Sequence, residues 1–176
     1  MTTLVIHPKD PSTDFLSSIY THKLDWKVLR SKLNQSKLRR LIKIYDRIIC
    51  LGHGSEYGLI GFNELIIDHS IVSLLKEKQI VLIWCNADIF VKKHELKPIL
   101  YTGMIISELE EAVNESVYCN GQQIEESNWL FAFTIGQFID YADPLIYIQS
   151  IYNQNKDSTK VNNIIEFNKT KIYSRL

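Results

Sequence analysis

Two residues of this chain, His53 and Cys85, have side chains suited to acyl-transfer chemistry, and each follows a short apolar run. Residues 47–51 precede Gly52 and His53, and residues 80–84 lead directly into Cys85. A cysteine is a good nucleophile only as the thiolate, and a neighbouring imidazole can take its proton or lower its pKa. Parallel strands pair about 4.8 Å apart, so two adjacent strands would bring the imidazole and the thiol to one edge of a sheet. The spacing therefore predicts a His–Cys dyad.

Backbone amides near this pair could supply the second part of such a site. Gly54 has no side chain, so its N–H can approach a substrate closely, and the N–H of Cys85 lies beside the proposed nucleophile. Two such donors can stabilise the oxyanion that forms when a thiolate attacks a carbonyl. We therefore expect an oxyanion hole formed by Gly54 and Cys85. Each motif also has a structural interpretation when it is taken by itself. Cys85 would then be a buried packing residue, and Gly52-His53-Gly54 would be a turn.

The elements that would position these residues alternate between strands and helices. Apolar, β-branched runs predict strands at 3–7, 47–51, 80–84 and 99–106, a weaker strand at 25–29, and a hairpin outside the main sheet within 56–68. Helical periodicity predicts helices starting near 15 and covering 35–45, 70–76, 89–96, 108–113 and 127–152, the last one bent near Pro144. This order predicts an α/β fold, a three-layer αβα sandwich with a mostly parallel central sheet. Functional groups in such sheets collect at the carboxyl ends of the strands, where His53, Cys85 and Ser107 are expected.

Polar residues mark the expected helix starts. Ser12, Thr13 or Asp14 would cap the first helix, and Ser107 would cap the acidic helix, with Glu110 completing a capping box. After residue 160, polar and apolar residues alternate around 164–167 and 171–173, and this pattern assigns the segment to neither a helix nor a strand.

Composition limits the class of protein. The chain has 176 residues, 45% hydrophobic content and 11% aromatics, which suits a single domain over residues 1–176. Twenty basic residues balance twenty acidic ones, so we expect no nucleic-acid partner. The one basic cluster repeats at helical spacing and is typical of the solvated face of a helix: Lys37, Arg39, Arg40 and Lys43.

Localisation follows from the cysteines and the apolar runs. No run approaches the roughly 18–20 residues that span a bilayer, and the first residues lack the basic start of a signal peptide. Three scattered cysteines do not resemble a disulfide framework. We therefore expect a cytoplasmic protein with no membrane partner, and its oligomeric state stays open.

Metal and nucleotide chemistry are not expected. Lys9-Asp10-Pro11 follows the first strand in place of a Gly-rich phosphate loop. Four further histidines have no ligand spacing with a cysteine, so neither a cofactor nor a metal is predicted: His7, His22, His69 and His94.

An apolar strand ending in His-Gly, followed some tens of residues later by an apolar strand ending in Cys, resembles the caspase-like cysteine peptidases. This group includes gingipains, legumains, separases and bacterial metacaspases, and the specific part of the resemblance lies in residues 48–55 and 80–87. It implies a caspase-like domain in which His53 is the general base, Cys85 the nucleophile and Gly54 an oxyanion ligand. It also implies a protein or peptide substrate, with Ser107 and Glu108 near the side chain that precedes the scissile bond.

The sequence departs from the family pattern on both sides of Cys85. Trp84 stands where a small residue usually precedes the Cys, and Asn86-Ala87 stand where a Gly commonly follows. These departures also fit a divergent or inactive member. One alternative is a non-catalytic α/β module that binds a protein or small ligand in the same crevice. A flavodoxin-like or receiver-like signalling domain would instead need acidic residues where His7 and Pro8 stand.

Overall fold

The computed structural model describes residues 1–154 and 163–174 and contains two sheets. In chain order the strands are β1 (Thr3–Ile6), β2 (Lys27–Leu29), β3 (Arg47–Leu51), β4 (Gly54–Ser55), β5 (Gly58–Gly61), β6 (Glu64–Ile67), β7 (Gln79–Ile83), β8 (Leu100–Thr102) and β9 (Ile172–Tyr173). The helices are α1 (Gln35–Ile44), α2 (Val72–Leu75), α3 (Ala87–His94), α4 (Leu109–Asn114), α5 (Gly121–Phe138), α6 (Pro144–Gln154) and α7 (Asn163–Lys169). Two 3₁₀ helices, Pro11–Ile19 and His69–Ile71, complete the described elements.

The larger sheet has six strands in the order β2-β1-β3-β7-β8-β9. Neighbouring strands are parallel except for β9, which runs antiparallel to β8. The predicted α/β class with a mostly parallel central sheet is confirmed.

Side chains of the central strands alternate between two buried faces, as expected for strands covered on both sides. Ile48 and Cys50 of β3 face a core built with α1, α2 and α3. Ile49 and Leu51 of the same strand face a second core built with the first 3₁₀ helix, α5 and α6. The predicted three-layer arrangement is therefore also confirmed.

The smaller sheet, β4-β5-β6, is antiparallel and lies directly after β3 in the chain. Its β5–β6 turn places Phe62 and Asn63 at φ of 55° and 62°, as a tight hairpin turn requires. The hairpin predicted within residues 56–68 is confirmed. Among the described residues, no helix is both long and apolar enough to cross a membrane.

The strand predicted at 99–106 is too long, because β8 ends at Thr102. The Thr102 hydroxyl accepts from Trp84 N at 3.2 Å and donates to Trp84 O at 2.9 Å, at the point where β7 has ended. Ile105 and Ile106 are buried as part of a loop. An apolar run at this position therefore reflects burial without strand pairing.

The single helix predicted at 127–152 is wrong, since two helices cover this part of the chain. Asn120 caps α5 by accepting from Gln123 N at 3.0 Å, so this helix begins earlier than predicted. Pro144 has no N–H to donate and begins α6 instead of bending a continuous helix.

Both predicted caps are displaced. Asp10, rather than Ser12, Thr13 or Asp14, caps the first segment, which is a 3₁₀ helix. For the acidic helix, Ser107 and Glu110 do not form the capping pair. The Glu111 carboxylate accepts from Glu108 N at 3.1 Å, and α4 begins one residue later than predicted.

Candidate functional site

His53 and Cys85 occupy equivalent positions at the carboxyl edge of the large sheet. β3 and β7 are adjacent and parallel, with Leu51 opposite Ile83, and each of the two residues lies two positions beyond this pair. Gly52 N donates to Ile83 O at 3.1 Å, so the alignment continues past β3. The predicted adjacency of the two strands is confirmed.

Both residues line one cavity between the sheet edge and the second core. The cavity measures about 30 Å³, which is room for about one water molecule. Its walls come from the first 3₁₀ helix, the ends of β3, β7 and β8, the 105–107 loop and α5. The lining residues are Thr13, Phe15, Leu16, Gly52, His53, Ile83, Trp84, Cys85, Thr102, Ile105, Ser107 and Phe131.

The His53 ring is hydrogen-bonded to Ser12, which the sequence predicts only as a candidate helix cap. Ser12 Oγ lies 2.6 Å from His53 Nε2. Asp10 Oδ1 accepts from Ser12 Oγ at 2.8 Å and from Ser12 N at 3.0 Å. These bonds from Ser12 hold the pKa of the Asp10 carboxyl below its usual value. A carboxylate, a hydroxyl and an imidazole therefore form a continuous chain beside the cavity.

The Cys85 thiol contacts acceptors on the opposite side of the cavity. Its sulfur lies 3.5 Å from Ile105 O and 3.7 Å from Glu111 Oε1. Burial and then the Glu111 carboxylate raise the pKa of the Cys85 thiol to about 12. In this arrangement the sulfur is a neutral thiol. Within the described residues, no hydrogen bond joins the side chains of His53 and Cys85, because His53 is bound to Ser12 and the thiol to Ile105 O and Glu111.

Glu111 also organises the loop that precedes α4. Its Oε2 accepts from Ser107 N at 2.7 Å and from Ser107 Oγ at 3.0 Å. Ser107 also lines the cavity, and its role as a substrate-contacting residue stays a prediction. Glu108, predicted to contact the substrate with it, lies just before α4 and is not among the described lining residues.

Gly54 and Trp84 are complementary in size. A Cβ on Gly54 would lie 2.2 Å from Trp84 Cδ1, so only glycine leaves room for the indole. Trp84 is buried, packs edge-on against Phe90 and donates from Nε1 to Ser55 O at 3.1 Å. The bulky residue before Cys85 therefore links the end of β7 to the strand that follows His53. Gly54 lies next to the cavity but is not among its described lining residues.

Asn86 adopts a left-handed conformation, with φ of 66°, immediately before α3. Glycine is favoured at such positions, and asparagine is one of the few other residues that adopts them readily. The sharp turn after Cys85 is therefore formed without glycine.

His7, at the end of β1, is a buried packing residue. Its Nδ1 lies 2.9 Å from Tyr20 Oη and its Nε2 lies 3.4 Å from Thr13 Oγ1. Burial, followed by the charge of Arg30, lowers the pKa of His7 to about 4. The neutral ring joins β1 to the 3₁₀ helix that forms one wall of the cavity.

Across residues 1–154 and 163–174, no three His, Cys, Asp or Glu side chains come together in a group that could hold a metal ion. The three cysteines are free thiols.

Comparison with known proteins finds no matching family model, and no curated protein or solved structure matches the chain. The geometry of the site is therefore the basis for proposing a function.

Proposed function

We propose that this chain is a caspase-like cysteine peptidase in which His53 is the general base and Cys85 the nucleophile. The observation that carries the proposal is the register of β3 and β7, which brings these two residues to equivalent positions at one sheet edge. Their shared cavity supports the same conclusion, since general base and nucleophile must reach one reacting atom.

The reaction would proceed by two acyl transfers. His53 takes the thiol proton, and the Cys85 sulfur attacks the carbonyl carbon of a peptide bond. The C–N bond breaks as the protonated imidazole gives its proton to the leaving amine. His53 then takes a proton from water, whose oxygen attacks the thioester, and the carboxylic acid leaves as the thiol is restored.

Substrate binding must change the resting arrangement. A cavity with room for about one water molecule cannot hold a peptide side chain, so the peptide has to widen it. The Cys85 thiol must also turn from Glu111 toward His53 before it can lose its proton. A single movement of the 105–107 loop would achieve both, because Ile105 O binds the thiol and Ser107 lines the cavity.

The remaining roles are those that the caspase-like resemblance implies. The amides of Gly54 and Cys85 would hold the oxyanion, and Ser107 with Glu108 would contact the residue that precedes the scissile bond. Free thiols suit a reducing compartment, and we place the enzyme in the cytoplasm.

The test is covalent labelling by peptidyl acyloxymethyl ketones that carry a basic, an acidic or an apolar residue next to the ketone. Each reagent forms a thioether only with a cysteine that can attack it. We expect one of the three to label Cys85 in the parent protein, identified by peptide mass spectrometry. Labelling should be lost in Cys85→Ala and strongly slowed in His53→Ala.

Cys119→Ala is the matched control, because Cys119 is also a partly exposed free thiol, and it should be labelled like the parent. Labelling elsewhere, or peptide hydrolysis that persists in Cys85→Ala, would refute the proposal.

A second candidate is a binding module that uses the same crevice without chemistry. The raised pKa of Cys85 beside Glu111 favours it, because a neutral thiol is a poor nucleophile. It predicts that iodoacetamide at neutral pH modifies Cys85 no faster than Cys119, and that none of the three ketones labels Cys85.

A further inference from the structure

We propose that Asp10 and Ser12 are positioning residues that hold His53 in the tautomer protonated on Nε2, so that Nδ1 is the nitrogen that receives the thiol proton. The role of Nδ1 as a base rests on the proposed function. The tautomer of the His53 ring follows from its hydrogen bonds and does not depend on that function.

The number of protons available decides the direction of the hydrogen bonds. Ser12 Oγ has a single proton and two neighbours within bonding distance, Asp10 Oδ1 at 2.8 Å and His53 Nε2 at 2.6 Å. An ionised carboxylate can only accept, so the hydroxyl proton is donated to Asp10. The contact between Ser12 and His53 then needs a proton from the ring, and Nε2–H donates to Ser12 Oγ.

The tautomer fixes the chemistry of the other ring nitrogen. A neutral imidazole has one donor and one acceptor nitrogen, so a proton on Nε2 leaves Nδ1 as the base. When Nδ1 gains the thiol proton, the positive charge on the ring is stabilised by the Asp10 carboxylate through Ser12. This is the role of an orienting group that holds a general base in the productive tautomer.

The fold holds this pair rigidly against the strand that carries His53. Asp10 caps the 3₁₀ helix Pro11–Ile19, which follows β1, and β1 pairs with β3 from Thr3 opposite Arg47 to Ile6 opposite Cys50. Thr13 of the same helix contacts the buried His7 ring. Ser12 therefore has a fixed position relative to the end of β3.

The test is a long-range ¹H–¹⁵N spectrum of protein labelled at histidine, which separates protonated from unprotonated ring nitrogens. At neutral pH we expect His53 to show protonated Nε2, unprotonated Nδ1 and an Nε2-bound proton that exchanges slowly with water. Ser12→Ala should lose this slowly exchanging proton and mix the tautomers, and Ser12→Thr should keep both features. Ser18→Ala, an exposed serine of the same helix, is the control and should match the parent.

A proton on Nδ1 in the parent, or a Ser12→Ala spectrum that equals the parent spectrum, would overturn the inference. Asp10→Ala provides a second variant: the Ser12 hydroxyl proton is then free to be donated to Nε2, so the two tautomers should mix although Ser12 is still present.

A kinetic readout separates this inference from the proposed function. The rate of Cys85 labelling by the peptidyl ketone should fall by about 10–100-fold in Ser12→Ala, a part of what a positioned base contributes, and recover in Ser12→Thr. Unchanged labelling in Ser12→Ala would refute the positioning role alone. Failure of the parent to be labelled would refute the peptidase and leave the ring tautomer as an independent result.

Discussion

At the scale of single residues, the site contains an imidazole and a thiol that are each bound to their own partners. His53 is bound through Ser12 to Asp10, and Cys85 faces Glu111. Glu111 both anchors the 105–107 loop through Ser107 and opposes ionisation of the thiol. One carboxylate thus couples the structure of this loop to the pKa of the Cys85 thiol.

Removal of this charge should increase the reactivity of Cys85. Glu111→Gln keeps an oxygen that can accept from Ser107 N and Glu108 N but no longer repels a thiolate. If the pKa of Cys85 falls by about one unit, the thiolate fraction near neutral pH rises about tenfold. We expect a similar increase in the rate of carboxamidomethylation of Cys85, measured by mass spectrometry over pH 7–9.

Glu110→Gln changes a fully solvated carboxylate on the same helix and should leave that rate unchanged. Equal rates for Glu111→Gln and the parent would show that burial alone keeps the thiol neutral.

His53 and Cys85 could be predicted as a pair because each lies just past the end of an apolar run. The contact of His53 with the Asp10–Ser12 pair could not be predicted, since residues 12 and 53 come together only through the pairing of β1 with β3. The sequence also could not distinguish Glu108 with Glu111 from Ser107 with Glu110 as the capping pair of α4, because both pairs have the three-residue spacing of a capping box.

At the scale of elements, the smaller sheet, β4-β5-β6, is fixed to the edge of the larger sheet by Trp84. The indole occupies space left by Gly54 and donates to Ser55 O. The glycine pattern of residues 56–68 was sufficient to predict the hairpin. Its docking on Trp84 could not be predicted, because the two partners are about 30 residues apart and share no local signal.

Gly54→Ala should destabilise the protein. The added Cβ would lie 2.2 Å from Trp84 Cδ1 and 2.7 Å from Gly58 O, and backbone in a paired strand cannot move easily. We expect a loss of about 2 kcal/mol or more in the free energy of unfolding, measured in urea.

Gly121→Ala is the comparison, because a Cβ there meets nothing within 4 Å and alanine favours the first turn of α5. It should leave the free energy of unfolding unchanged or slightly higher. A cost for Gly54→Ala no larger than that of Gly121→Ala would show that the indole and hairpin adjust freely.

At the scale of the whole molecule, a C-terminal helix is bound to the loop that lines the cavity. Asn168 of α7 is buried, accepts from Ile106 N and donates to Ile106 O, both at 2.8 Å. It also bonds Ser127 Oγ of α5 at 3.2 Å. One amide therefore joins α7, α5 and the loop that forms a wall of the site.

Asn168→Ala should lower the free energy of unfolding by about 3 kcal/mol, because it leaves a buried backbone N–H and C=O without their partner. Urea unfolding followed by tryptophan fluorescence measures the change. Asn163→Ala, which removes an exposed side chain at the start of the same helix, should stay within about 0.5 kcal/mol of the parent. Similar values for the two variants would mean that other groups satisfy the Ile106 backbone.

The layered architecture could be predicted because strands and helices alternate with clear periodicity over most of the chain. Neither α7 nor β9 could be predicted. β9 has two residues, and it is a strand only because Tyr101 and Thr102 of β8 pair with Tyr173 and Ile172.

The pairing of β8 with β9 also has a consequence for synthesis of the protein. Thr102 and Ile172 are partners in the sheet although they are 70 residues apart. During translation, the outer edge of β8 therefore has no strand partner while the ribosome adds the intervening helices. An uncovered strand edge readily pairs with other chains. During this interval the nascent protein carries an open strand edge that favours aggregation.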